Sequence, residues 1–218
     1  MQINIQIDRD WDLENFWTFI QENDPTIKEL YPDIQTLSQL QAHLDCEYKS
    51  GCIQTAAKWL SGQIEVLAQI ATALSEVIKE NWDGIDEIKI YAAACPVCPR
   101  FIDENAFFIG YQGDEKWAFE VCAHEMAHFL YFKKLKKLID KQIDTEYPGY
   151  EWLLSEILVL PILNDPRVNK FFGLPAQPSL CDVDVPEEIV QQIAAMWNPD
   201  KLLEIHEQAH ELLEGYCH

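Results

Sequence analysis

The feature that most constrains this chain is a helical segment with two histidines and one glutamate set in a run free of other charges. From residue 116 the apolar and histidine positions recur with a helical period as far as the lysines near residue 137. The residues around the two histidines are Val121, Cys122, Ala123, Met126, Ala127, Phe129 and Leu130. A helix of this composition is predicted to cross the interior of a folded domain.

The rest of the chain predicts an α+β fold that is mostly helical, with a small sheet. Strands are expected at residues 3–7, 87–94 and 106–111. One long helix over residues 54–81, with a single apolar stripe, is expected to back the sheet. Further helices are expected at residues 13–21, 34–44, 150–163, 186–197 and 199–215. We expect one domain over residues 1–218, with an upper lobe of residues 1–140 that holds the sheet and the histidine helix, and a helical lower lobe of residues 141–218.

Charge and composition exclude several classes of partner. The chain has 16 Lys and Arg against 37 Asp and Glu, a formal net charge of -21, and such a field repels phosphate backbones and anionic lipid surfaces. The N-terminus lacks the basic start of a secretory signal, and no apolar run is long enough to span a bilayer. Seven cysteines without a small-scaffold spacing favour reduced thiols. We therefore predict a cytoplasmic protein with no nucleic-acid or membrane partner.

The two histidines belong to the sequence His124-Glu125-Met-Ala-His128. Side chains four apart on a helix project to one side, so both imidazoles can bind one tetrahedral Zn²⁺. Glu125 is displaced round the helix by one step. It is therefore predicted to act as a general base that takes a proton from the attacking water.

The same pattern occurs a second time, at His206-Glu207-Gln-Ala-His210. Here Glu204 and Glu211 lie close to the histidines, and the apolar positions occupy one side of the helix. This copy is predicted to be a surface helix whose buried positions are Leu202, Ile205, Ala209, Leu212 and Tyr216. We assign the metal to the first copy.

A catalytic zinc commonly has three protein ligands, so a third must come from elsewhere. Glu156 lies in the apolar run 152–160, where an ionised carboxylate is costly unless a cation or strong donors meet it. We predict Glu156 as the third ligand, with Glu151 in reserve and Glu146 after it. The alternative is that Glu156 is protonated, or paired with Arg167 or a lysine.

These residues resemble the gluzincins, the thermolysin-like branch of the zincin metallopeptidases, over about residues 88–165. The resemblance implies a zincin-like fold, zinc bound by His124, His128 and Glu156, and Glu125 as general base. It also implies that the strand 106–111 presents a free edge to an extended peptide.

The sequence departs from the family after the glutamate. Many relatives place Asp or Asn four residues later to orient a ligand histidine, whereas this chain has Leu160. Another residue, such as Asn164 or Glu120, would then have that role, unless Glu156 is not the ligand. The residue that stabilises the oxyanion is unassigned among the candidates Tyr147, Tyr150, His206 and His210.

The resulting expectation is a zinc metallopeptidase that hydrolyses peptide bonds of a peptide or protein substrate. Two alternatives stay open, an inactive zincin-fold binding or regulatory protein and a zinc hydrolase of a non-peptide amide. Cys95-Pro-Val-Cys98 is interpreted as a loop with two thiols in preference to half of a structural zinc site. The lysines 133, 134, 136, 137 and 141 are interpreted as a solvated helix end.

Overall fold

The computed structural model describes residues 1–139, 143–173 and 183–216. These residues form a mixed α and β structure with one four-stranded sheet and ten α-helices. The strands are β1 Gln2–Gln6, β2 Glu87–Ala93, β3 Arg100–Phe101 and β4 Ala106–Gly110. The helices are α1 Arg9–Gln21, α2 Pro25–Leu30, α3 Leu37–Ser50, α4 Cys52–Gly62, α5 Ile64–Ile78, α6 Glu115–Leu138, α7 Tyr150–Leu163, α8 Pro166–Asn169, α9 Glu187–Ala195 and α10 Leu202–Leu213, the last preceded by a 3₁₀ turn Pro199–Lys201.

The described chain divides into two compact units. The sheet unit comprises Met1–Ala68 and Asp83–Val121, and the motif unit comprises Gln69–Trp82 and Cys122–His218. These bounds differ from the lobes expected at residues 1–140 and 141–218, because the division falls within α5 and α6. The motif unit therefore contains both copies of the histidine motif together with α7. The expected single zincin-like domain stays a prediction.

The sheet has the strand order β1-β2-β4-β3, in which β1, β2 and β4 are parallel. Both of its faces are covered, since Tyr91, Ala93 and Phe108 are buried on one side and Ile90 and Phe107 on the other. A parallel strand covered on both faces is apolar at consecutive positions. This accounts for the near-continuous apolar stretches of β2 and β4.

Strand β4 does not have the free edge expected of it. The short strand β3 pairs antiparallel with its start, matching Arg100 with Phe107 and Phe101 with Ala106. The intervening turn places Asn105 at φ 49°, a left-handed conformation that asparagine tolerates. The two-residue strand is too short to leave an alternating pattern in the sequence. The expectation of a free edge for a peptide is therefore wrong at residues 106–108, and it stays a prediction for residues 109–111.

The helix expected over residues 54–81 is two helices, α4 and α5. The first ends at Gly62, and the backbone N–H of Gln63 bonds to the Leu60 carbonyl in a tightened last turn. Glycine is a poor helix former, and this weakens the helix where it breaks. The expected apolar stripe is interrupted at the break, where Ile64 is 40% exposed, and resumes at Leu67 and Ile70. Helix α4 packs against β1 and β2 and supplies the expected backing of the sheet.

In the motif unit, α6 is fixed by its own lysines. Lys134 donates to the carbonyl of Ile78 at the end of α5, and Lys137 binds both carboxylate oxygens of Glu80 at 2.7 Å. Lys133 bonds to Asn81 and lies 3.4 Å from Glu80. The interpretation of these lysines as a merely solvated helix end is wrong for these three, and Lys141 lies outside the described residues. The contacts fix the C-terminal half of the helix that carries the motif.

In the sheet unit, the carboxylate of Asp12 is fully buried where β2 ends. It accepts hydrogen bonds from the backbone N–H groups of Ala94 at 2.8 Å and Cys95 at 3.2 Å, and from the Tyr48 hydroxyl at 2.9 Å. Burial raises the pKa of Asp12 above its ordinary value, although these donors offset part of that effect. The Asp12 carboxylate thus accepts hydrogen bonds from three donors that no longer contact water.

No helix among the described residues is long and apolar enough to cross a bilayer.

Replacing Asp12 by alanine is expected to lower the free energy of unfolding by about 3 kcal/mol or more, because three buried donors lose their acceptor. Asp12→Asn keeps one acceptor oxygen and should cost less. Urea unfolding followed by circular dichroism measures the loss. The control is Asp10→Asn, on the same helix with its side chain 90% exposed, and an equal loss in that control would contradict the assignment.

Replacing Glu80 by glutamine is expected to lower the free energy of unfolding at pH 7 by about 0.5–1 kcal/mol, since the Lys137 ammonium is half exposed and water screens the pair. Burial alone would raise the pKa of Glu80, but the hydrogen bonds from Lys137 and the Asn81 N–H lower it below its ordinary value. The folded state therefore favours the ionised carboxylate. Its contribution is present above the ordinary carboxyl pKa and is lost as the pH falls through the lowered one.

Unfolding of metal-free wild type and Glu80→Gln, followed from pH 7 downward, should give a difference that shrinks with falling pH. Glu65→Gln, at an exposed position of α5, serves as the control. A difference between wild type and Glu80→Gln that stays constant over the acid range would contradict this account.

Candidate metal site

Helix α6 is buried around the first motif, as its uncharged flanks predict. Cys122, Ala123, Met126, Ala127 and Leu130 are fully buried. The confirmed helix Glu115–Leu138 places the two motif histidines one turn apart. Their side chains therefore project together into the interior of the motif unit.

The opposite wall of the site is α7, which extends over Tyr150–Leu163 as the sequence predicts. Its residues from Glu151 to Val159 are all buried, and Glu156 is only 2% exposed. Pro161 lies in the last turn of the helix, which continues to Leu163. A helix that is apolar on every side must be buried on every side. Helices α9 and α10 pack against α7.

The imidazoles of His124 and His128 meet the carboxylate of Glu156 between these two helices. The Nε2 atoms of the two histidines are 2.9 Å apart. Glu156 Oε2 lies 3.1 Å from His124 Nε2, and Glu156 Oε1 lies 3.3 Å from His128 Nε2. Both histidines thus present the same ring nitrogen to one carboxylate.

These separations suit a tetrahedral ion. At Zn–N and Zn–O distances of about 2.0–2.1 Å, two ligand atoms of a tetrahedron lie roughly 3.3 Å apart. The buried imidazole of His128, the partly buried imidazole of His124 and the buried carboxylate of Glu156 form a donor set that zinc accepts. Without a cation, the same contacts require a proton shared between the histidines and Glu156. The residues present therefore fit a metal, and a titration with the metal distinguishes the two states.

Glu125 lies beside the cluster of His124, His128 and Glu156, but farther from His124 than Glu156 does. Its Oε1 atom is 4.0 Å from His124 Nε2, which is farther than either contact that Glu156 makes. The candidate ligand atoms of His124, Glu125 and His128 all lie within 4.8 Å of one another, so this group could hold a metal ion. The shorter distances to Glu156 favour that residue as the ligand and leave Glu125 as the adjacent carboxylate.

The reserve candidates for the third ligand face elsewhere. Glu151 is five residues before Glu156, which turns its side chain about 140° round the helix. Its Oε1 atom lies 3.6 Å from His206 Nε2. Glu146 is exposed in the loop before α7. Arg167, named as an alternative partner of Glu156, binds Asp165 through two nitrogens.

The second copy of the motif does not form a comparable group. His206 is buried, whereas Glu207 and His210 are exposed. The rings of both histidines contact the ring of Tyr150, with centroids 5.0 and 4.8 Å away. In the described part of the chain, the first copy alone supplies a group of three metal-ligating side chains.

Helix α10 follows the predicted amphipathic pattern in most positions. Leu202, Ile205 and Ala209 are buried as expected. Leu213 takes the buried place expected for Leu212, which is half-buried, as is Tyr216. The helix therefore has one buried side, and that side includes His206.

The candidates for oxyanion stabilisation have different surroundings. Tyr147 is 52% exposed and packs edge-on against Trp152. The Tyr150 hydroxyl donates to the backbone carbonyl of His206. His206 faces Glu151, and His210 is exposed. The oxyanion role, and the orienting role suggested for Asn164 or Glu120, stay predictions.

Sequence reasoning overlooked Tyr131. It follows His128 by three residues on the same side of α6, and it is 2% exposed. Burial, together with the neighbouring Tyr150 and Glu151, raises the pKa of Tyr131 well above its ordinary value. A tyrosine one turn beyond a ligand histidine in an uncharged run is the signal that could have identified it.

The Cys95-Pro-Val-Cys98 loop lies in the sheet unit. Cys95 is fully buried, and burial raises the pKa of its thiol well above the ordinary value. Within the described residues, no cysteine joins a group able to hold a metal. The segment is a loop, as predicted, and the preference for thiols over half of a structural zinc site stays a prediction.

Comparison of the chain with models of protein families, with curated proteins and with solved structures gives no match.

Removing a ligand is expected to weaken zinc binding more than about 100-fold in His124→Ala and in Glu156→Gln, since even outer-shell substitutions commonly cost 10- to 100-fold. Wild type is expected to bind zinc stoichiometrically, and His210→Ala should match it because His210 belongs to the second motif. Competition with a chromophoric chelator measures the affinities. Wild-type affinity in Glu156→Gln would remove Glu156 from the ligand set.

Proposed function

We propose that this protein is a zinc-dependent metallopeptidase whose metal is held by His124, His128 and Glu156. The observation that carries the proposal is the convergence of the two Nε2 atoms and the Glu156 carboxylate within 3.3 Å in a buried site. A zincin-like fold and a cytoplasmic setting without nucleic-acid partners belong to the same proposal, and both rest on the sequence.

Zinc is the metal we assign, because two imidazoles and one carboxylate are the protein ligands of one common class of catalytic zinc site. Three protein ligands leave the fourth position of a tetrahedron open to water or substrate. When bound there, zinc would polarise a carbonyl and lower the pKa of water.

Glu125 supplies the acid-base chemistry in this proposal. Its carboxylate is 6% exposed and lies next to the ligand cluster, 4.0 Å from His124 Nε2. It accepts a proton from the attacking water and later donates that proton to the leaving amine. A carboxylate held beside the ligands, without being one of them, is free to change its protonation state during the reaction.

The zinc hydrolase of a non-peptide amide is the second candidate, and one observation favours it. Strand β3 occupies the edge of β4 at Ala106 and Phe107, so those backbone groups are not open to an extended peptide. The acid-base chemistry of Glu125 would be the same for either amide. The two candidates therefore differ in substrate recognition alone.

Glu125→Gln is expected to retain zinc with wild-type stoichiometry and to lower kcat/KM about 10²- to 10⁴-fold, the range typical of losing a general base. The matched control is Glu207→Gln, which alters the exposed glutamate of the second motif and should leave kcat/KM unchanged. A library of fluorogenic peptides provides the assay, with metal content measured on the same samples.

Activity equal to wild type in zinc-loaded Glu125→Gln would remove the general-base role. Turnover of N-acyl amides without turnover of any peptide would support the second candidate. Stoichiometric zinc with no hydrolysis of either class would support the alternative of a binding or regulatory protein.

A further inference from the structure

The second histidine motif has a location that its surface-helix interpretation does not explain. Its first histidine, His206, is only 6% exposed, and it meets the first turn of α7, the helix that carries Glu156. Its second histidine, His210, is exposed on the same helix. One member of the motif is thus built into the interior of the motif unit.

His206 joins α10 to the start of α7 through its ring nitrogen, its backbone carbonyl and its ring face. His206 Nε2 lies 3.6 Å from Glu151 Oε1, an ion-pair distance between two side chains that are each 8% exposed. The Tyr150 hydroxyl donates to the His206 carbonyl, and the Tyr150 ring packs edge-on against the His206 ring. His206 therefore contacts two adjacent residues of α7, Tyr150 and Glu151, through both its imidazole and its backbone.

The contacted turn lies next to the candidate ligand in the same rigid helix. Glu151 and Glu156 are five residues apart, a rise of about 7.5 Å along the axis. The histidines of α6 meet the middle of α7 at Glu156.

A displacement of that first turn would move Glu156 with it. Helix α7 is buried from Glu151 to Val159 and largely apolar, and the hydrophobic effect that buries it is non-directional. Hydrogen-bonded and charged contacts at a buried position are directional, and they specify a single arrangement. His206 provides such contacts at one end of α7.

We propose that His206, through its pair with Glu151 and its hydrogen bond from Tyr150, is a positioning residue that holds Glu156 in place as a metal ligand. The proposal rests on the proposed zinc site. It assigns the second copy of the motif to the support of the first, since His206 acts on the metal through α7 without touching it.

Zinc affinity tests this role, measured by chelator competition on the full chain. His206→Gln and Glu151→Gln are each expected to weaken binding about tenfold, within the range for residues that support a ligand. The double variant should be no weaker than either single variant, because both substitutions break one contact. Glu207→Gln is the control, at an exposed position of the same motif, and should keep wild-type affinity.

A second measurement separates positioning from a general loss of stability. In a Glu156→Gln background, His206→Gln should have no further effect on zinc affinity, because the ligand that it positions is already lost. In the cobalt(II)-substituted protein, the visible absorption bands should shift in His206→Gln and remain unchanged in Glu207→Gln. Unfolding of the metal-free proteins shows whether the variants are folded at the assay temperature.

The proposal is overturned if folded His206→Gln binds zinc like wild type, or if it loses affinity equally with and without Glu156. If His206→Gln does not fold, Tyr150→Phe removes only the hydroxyl that bonds to His206, and an unchanged zinc affinity and cobalt spectrum in that variant would overturn the proposal. Absence of zinc binding by wild type itself would instead overturn the proposed function, and the present proposal with it.

Discussion

The burial of the Glu156 carboxylate against two imidazoles is the interaction on which the motif unit depends. An ionised carboxylate that is 2% exposed is costly unless its charge is compensated. Compensation by His124 and His128 requires two helices to meet at one point, with their apolar sides covered everywhere else. The cover comes from α9 and α10 on α7, while Lys134 and Lys137 fix the end of α6. A polar cluster of three side chains thereby specifies how the apolar helices pack.

The two copies of the motif show that surroundings decide what a short pattern becomes. The spacing of the histidines is the same in both, yet the first pair converges within 2.9 Å and the second pair packs around a tyrosine ring. Apart from Glu125, the residues around the histidines of α6 are uncharged on all sides of the helix. Both histidines therefore face the interior. Helix α10 has glutamates on its exposed side, so one histidine is buried and the other remains in water. The charged residues that flank the second motif in the sequence already predict this difference between the two copies.

Elements that depend on local periodicity could be predicted closely from the sequence, and α7 has the expected bounds Tyr150–Leu163. The candidate ligands could be predicted because an acidic residue in a long apolar run requires compensation. Contacts between distant segments could not. The pairing of β3 with β4 rests on two residues, too few for a strand pattern. The hydrogen bond from Lys134 to Ile78 and the 3.6 Å contact between His206 and Glu151 join residues more than fifty positions apart, and no periodicity encodes them.

The different places of the two buried glutamates follow from the helices that carry them. Glu125 shares a helix with both histidines, one step from His124, so its side chain points about 100° away and remains at 4.0 Å. Glu156 belongs to another helix and approaches the histidines from the opposite side, where it reaches both within 3.3 Å. Glu156, on the facing helix, lies closer to His124 than Glu125 does, although the group His124, Glu125 and His128 could also hold a metal ion. The distance from Glu156 to the histidines therefore depends on how α7 packs against α6, whereas that of Glu125 is set within α6 alone.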